Sequence, residues 1–98
     1  MIKPTVGRVV LLRRPHDAID PSQPEAALVT YVHNDREINI GAFLQSGHVF
    51  HLQHVQLLQD EDVAPTDGTP YCEWMPYQKG QAAKAEQAEA ALKSVTGS

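Results

Sequence analysis

Apolar side chains fall into short blocks between Val6 and Met75, each closed by turn-forming residues, and after Gln78 the pattern gives way to an alanine-rich run. Val6-Gly7-Arg8-Val9-Val10-Leu11-Leu12-Arg13 is rich in valine and leucine, which suit a pleated surface, and predicts a strand over 6–13. Pro15 ends it, because proline has no N–H to give to a ladder. Ala26 to His33 predicts a second strand and Glu37 to Leu44 a third, joined by the tight Asn34-Asp35-Arg36 turn. In the third strand Ile38, Ile40, Ala42 and Leu44 alternate with Glu37, Asn39, Gly41 and Phe43, so each set takes one face. Gln45-Ser46-Gly47 turns the chain into a longer strand over 48–58. There Val49, Val55 and Leu57 fall on one side and Phe50, Leu52 and Leu58 on the other, a split that a mid-strand bulge would repair. Tyr71 to Met75 alternates as a last short strand, which Pro76 ends.

Five short strands with apolar residues on both faces, in under 80 residues, suit a small five-stranded barrel of the SH3-like type. Closure removes sheet edges and uses the inward face of every strand. A two-sheet sandwich is the alternative. The barrel is expected over 1–77 and a helical or disordered tail over 78–98. Gln81 to Lys93 is made of strong helix formers, and Glu89 and Lys93 stand in the favourable i, i+4 order. Leu92 and Val95 are its only large apolar residues, so the tail is expected either to fray or to pack on a partner through Ala85, Ala88, Leu92 and Val95.

Charge sharpens this picture. Residues 1–16 carry Lys3, Arg8, Arg13 and Arg14 and no acid, whereas residues 17–73 carry ten acids against Arg36 alone. An acidic body disfavours wide contact with a phosphate backbone, while the basic start suits an acidic partner or the acidic loops of a neighbouring copy. The segment 15–25 holds three prolines and three acids and predicts a long loop, a class that often carries function. A single cysteine, Cys72, allows no internal disulfide and fits a reducing compartment. The apolar run 9–12 is too short for a signal peptide, and no run approaches a membrane span. A location in the cytoplasm follows as the expectation.

Candidate chemistry is sparse. His48, His51 and His54 have an H-x2-H-x2-H spacing, but on a regular strand the outer two lie roughly 20 Å apart and the middle one faces the other way, so no metal is expected. Only a bulge, or His33 arriving across the sheet, would change that. Cys72 has no adjacent base or glycine-rich oxyanion loop and reads as a packed thiol. Asp60-Glu61-Asp62 lacks the alternation and central glycine of a calcium loop. No cofactor and no enzymatic activity are expected. Tyr71, Trp74, Met75, Pro76 and Tyr77 form a dense aromatic–proline cluster. Trp74 is suited to plugging one end of a barrel, and Tyr71, Trp74, Met75, Tyr77 and, from the tail, Leu92 are the candidate protein contacts.

Two resemblances add context. Val6-Gly7-Arg8-Val9-Val10 resembles the opening strand of KOW and other SH3-like modules, which implies a nucleic-acid alternative through Lys3, Arg8, Arg13 and Arg14. Met1 to Val10, the Asn34-Asp35-Arg36 turn, and above all Cys72-Glu73-Trp74-Met75-Pro76-Tyr77-Gln78-Lys79-Gly80-Gln81-Ala82-Ala83-Lys84 resemble a group of small proteins carried by tailed bacteriophages and prophages of Gram-negative bacteria. The resemblance implies a phage gene expressed in the bacterial host cytoplasm and implies no mechanism. The expected function is therefore a non-catalytic protein-binding or assembly module that engages a protein partner or itself, with nucleic-acid binding as the alternative and no membrane.

Overall fold

The computed structural model describes the backbone of residues 1–96 and the side chains of residues 1–89. Five strands are present, β1 (Val9–Arg13), β2 (Glu25–Asn34), β3 (Glu37–Phe43), β4 (Val49–Leu58) and β5 (Tyr71–Glu73), followed by one helix, α1 (Pro76–Thr96). They close into a barrel in the order β1-β2-β3-β4-β5. The first four form an antiparallel meander. β5 then fills the gap, antiparallel to β1 and parallel to β4, so the fold is the expected small SH3-like barrel with a helical tail.

Alternation builds the core. Val10 and Leu12 of β1, Ala27 and Val29 of β2, Ile38, Ile40 and Ala42 of β3, Val55 and Leu57 of β4, and Cys72 with Trp74 converge inside, while Ile2, Val32, Phe50 and Leu52 pack at the margins. The split pattern of β4 is resolved by a bulge. His54 takes a left-handed φ of 54°, and the register with β3 slips between Ile38 and Ile40. The extra residue flips the alternation, so Phe50 and Leu52 before it and Val55 and Leu57 after it all turn inward. The expected faces of β4 need correcting accordingly: Val49 stays outside, 59 % exposed.

Two boundaries move for physical reasons. The first strand begins at Val9, not at residue 6. Thr5 to Arg8 is a turn, closed by the Arg8 N–H on the Thr5 carbonyl at 3.2 Å, and Gly7 stands at φ +93°, a conformation that L side chains resist. Gly7 is therefore there for its backbone freedom and not for close approach, since a Cβ would meet nothing within 4 Å. Its N–H still bonds the Val29 carbonyl at 2.8 Å and so holds the N-terminal segment against β2. Likewise the last strand stops at Glu73 and not at Met75, and Pro76 does not end it but opens α1. Its fixed φ suits the first helical position, and the Gln78 side chain reaches back to the Met75 N–H at 2.8 Å, half of a capping box.

Candidate functional site

The two ends of the barrel differ. One is sealed around Gln59, a residue 2 % exposed that follows β4. Its Oε1 accepts from the Ile2 N–H at 3.1 Å and from the Trp74 indole at 3.2 Å, and its Nε2 donates to the carbonyls of Ile2 at 2.7 Å and Asp35 at 2.8 Å. All four hydrogen-bonding positions of the amide are thereby used, as a buried polar group requires. Asp62 extends the knot: its Oδ2 accepts from the Gln59 N–H at 2.9 Å and from Arg36 at 2.8 Å, and the Arg36 bond holds its carboxyl below the usual range. N-terminal segment, β2–β3 turn, end of β4 and Trp74 are thus tied to one side chain.

Outside this seal, α1 and the N-terminal segment form a groove of about 420 Å³. Ile2, Ala82 and Ala85 give it an apolar floor, and Arg8, Tyr77, Gln78 and Gln81 form its rim. The Gln78 side chain donates to the Val9 carbonyl at 3.0 Å and anchors the helix to β1. The Met1 amino group lies 3.1 Å from Asp60 and 3.2 Å from Glu86, which ties the N-terminus to the third turn of the helix. Tyr77 stands 71 % exposed at the mouth. Arg8 has no acid within ion-pair distance among the described residues, unlike Arg13, Arg14 and Arg36.

The candidate contacts part company here. Trp74 is 2 % exposed, taken up by the core and Gln59, and so is unavailable to a partner. Tyr71 and Met75 are half-buried, Tyr77 is free, and the Leu92 side chain lies outside the described residues. Of the four basic candidates, Arg13 pairs with Glu73 at 3.1 Å. Arg14 grips Glu25 through Nε at 2.6 Å and a terminal nitrogen at 2.7 Å, with its guanidinium 4.5 Å from the Phe50 ring centre. Those two charges are compensated within the fold, which leaves Lys3 and Arg8 to face outward.

Both conditions named for bringing histidines together are met: β4 carries a bulge, and His33 reaches across the sheet. The bulge turns His54 outward, and His33 arrives from β2 to stack on it, ring centres 4.2 Å apart and planes 17° off parallel, with Tyr31 edge-on to His33 at 4.9 Å. Asn39 Oδ1 accepts from the His54 N–H and lies against His33 Nε2, both at 2.9 Å, so His33 carries its proton on Nε2. His54 Nδ1 meets Glu37 at 2.5 Å, a bond that holds the Glu37 carboxyl below its ordinary range. The rings lie face to face and do not converge on a point. Among the described residues no group of three or more His, Cys, Asp or Glu is placed to hold a metal. Cys72 points into the barrel, where burial pushes its thiol up to about 12, on the opposite side of the sheet from His51 and His54. These three residues are therefore not brought together.

At the other end of the barrel, the loop between β1 and β2 overhangs the β3–β4 turn and leaves a cleft of about 330 Å³ beside Ile19, Asp20, Pro24 and Phe43. Comparison with known proteins returns no matching family model, no similar characterised protein and no similar solved structure. No helix among the described residues is long and apolar enough to cross a membrane.

Gln59 is the residue that sequence reading missed, and Arg8, named there as a basic candidate, was not separated from its neighbours. Gln59 follows Leu58 with nothing in its neighbourhood to mark it as buried. Arg8 was one of four basic residues, and only the partners of the others set it apart.

Proposed function

We propose that this protein is a non-catalytic binding module that docks a protein partner in the groove between its N-terminal segment and α1. The observation that carries this is an exposed tyrosine and a guanidinium with no acid beside it among the described residues, over an apolar floor whose Ile2 side is held by Gln59 and whose helix side is held by the Gln78–Val9 bond. Tyrosine and arginine are enriched at the energetic centres of interfaces, and a preformed groove loses little entropy when it is filled. The barrel interior is filled by side chains, and the buried thiol has neither the charge nor the access a nucleophile needs. The likeness of the closing segment to phage-borne proteins supports a setting in the cytoplasm of a bacterial host.

The test is a photo-crosslinking amino acid placed at position 77 in host cells. Discrete protein adducts are expected from position 77, lost when Arg8→Glu is added, and absent when the crosslinker replaces Val63, which is 81 % exposed elsewhere. Equal adducts from both positions, or adducts indifferent to Arg8→Glu, would sink the groove as the contact surface.

A further inference from the structure

The groove needs an apolar side chain for its floor and an anion for Arg8, and the chain itself presents that combination at the far end of the barrel. In the β1–β2 loop, Asp17-Ala18-Ile19-Asp20 places an isoleucine, 62 % exposed, between two exposed acids. The segment is shaped in advance. The Ala18 N–H bonds the Arg14 carbonyl at 3.1 Å and the Gln23 N–H bonds the Asp20 carbonyl at 3.2 Å. Ser22 donates to Asp20 Oδ1 from both Oγ at 2.5 Å and N–H at 3.1 Å, which leaves Oδ2 outside these bonds. The Arg14–Glu25 pair clamps the base of the loop.

This segment does not reach its own groove. Arg8 stands just before β1 and the loop starts just after it, so the five residues of β1 hold them ~16 Å apart, at ~3.3 Å per strand residue. Any engagement is between molecules. Charge orients it: the outward-facing Lys3 and Arg8 of one molecule meet the exposed Asp17 and Asp20 of the next, and complementary charges of this kind set register and speed encounter.

We propose that the occupant of the groove is a second copy of this chain, docked through Asp17–Asp20, with Ile19 on the Ile2–Ala82–Ala85 floor and Asp20 on Arg8. The assignment rests on the reading of the groove as a protein-binding surface. Because the two patches differ and lie at opposite ends of the barrel, the contact is head-to-tail, and each subunit that binds leaves one groove and one loop free for the next. A short loop in a groove buries less than a standard interface, so the association is weak and belongs to crowded conditions or a nucleated assembly.

Sedimentation of the purified full chain over a wide concentration range tests this. The average mass should climb with concentration without stopping at a dimer, and the climb should shrink as added salt screens the Asp20–Arg8 attraction. Arg8→Glu and Ile19→Ser/Asp20→Asn should each lower the association constant at least about tenfold. All three sites are exposed, and circular dichroism confirms that each variant keeps its fold. Mixing the two variants should restore a complex that stops at one-to-one, because only one complementary pair of patches remains. A chain that stays monomeric throughout, variants that associate like the original, or a mixture that stays monomeric would each overturn the proposal. If the pure chain is monomeric while position 77 crosslinks to a different protein, the second-copy assignment fails and the groove reading stands. If position 77 shows no preference at all, both fail.

Discussion

The sealed and open ends of this barrel are made from the same strands, yet they handle polar groups in opposite ways. At the sealed end one buried amide collects four hydrogen bonds from segments far apart in the sequence, and an indole covers it. At the open end the polar contacts within the loops are local: Ser22 to Asp20, Thr69 to Asp67, and the Arg14–Glu25 clamp only eleven residues apart. The difference teaches where stability and display reside. Long-range bonds around a buried group resist local opening, whereas local turns can present side chains to a partner without holding up the core.

The comparison can be broken most directly at Trp74. Trp74→Ala empties the sealed end and frees one acceptor on Gln59, and a loss of about 4 kcal/mol is expected in urea unfolding. Gln59→Leu should cost about 3 kcal/mol by stranding the Trp74 indole, the Ile2 main chain and the Asp35 carbonyl. If either change costs no more than a surface substitution, the seal does not hold the fold. At the open end, Gly68→Ala should cost only about 1 kcal/mol. Gly68 stands at φ +85°, and an added Cβ would run into the exposed His16 ring, which can swing away. A further His16→Ala should recover the part due to collision and leave the part due to backbone strain.

The smallest effect is electrostatic. Asp20, Glu37, Asp62 and Asp67 all have carboxyls lowered by hydrogen bonds, from Ser22, His54, Arg36 and Thr69 first in each case. A depressed folded value means that the unfolded chain takes up protons first as the pH falls. Their stabilisation is therefore complete above the ordinary carboxylate range and fades as acidity passes down through the folded values. The urea midpoint should slip modestly below about pH 4.5. Glu37→Gln should flatten part of that slope, and a slope unchanged in the variant would remove Glu37 from the set.

Much of this fold is legible in the sequence because the barrel is built from period-two alternation and short polar turns. Ile38, Ile40 and Ala42 declare their face directly, and the mismatched halves of β4 announce a bulge, though not its place at His54. What alternation does not encode is contact between distant segments. Gln59 looks like the first residue of an acidic loop until Ile2, Asp35 and Trp74 surround it. His33 and His54 meet only because the bulge adds one residue, and the two ring positions cannot be paired without knowing its place. Proline was the other source of error. Pro76 serves equally well after a strand or at the first turn of a helix, and the Gln78 cap that decides between them is a side chain-to-backbone bond.

The three-residue fifth strand has a consequence for how the chain is made. Among the described residues β5 is the only strand that links β1 and β4, and its Glu73 meets Arg13 across sixty residues of chain. Until residue 73 has left the ribosome, the meander stands as an open sheet with two bare margins, the kind of surface that recruits neighbouring strands. The cylinder therefore cannot close without β5, and a chain cut short of Tyr71 should expose both margins and aggregate instead of forming a looser version of the same fold.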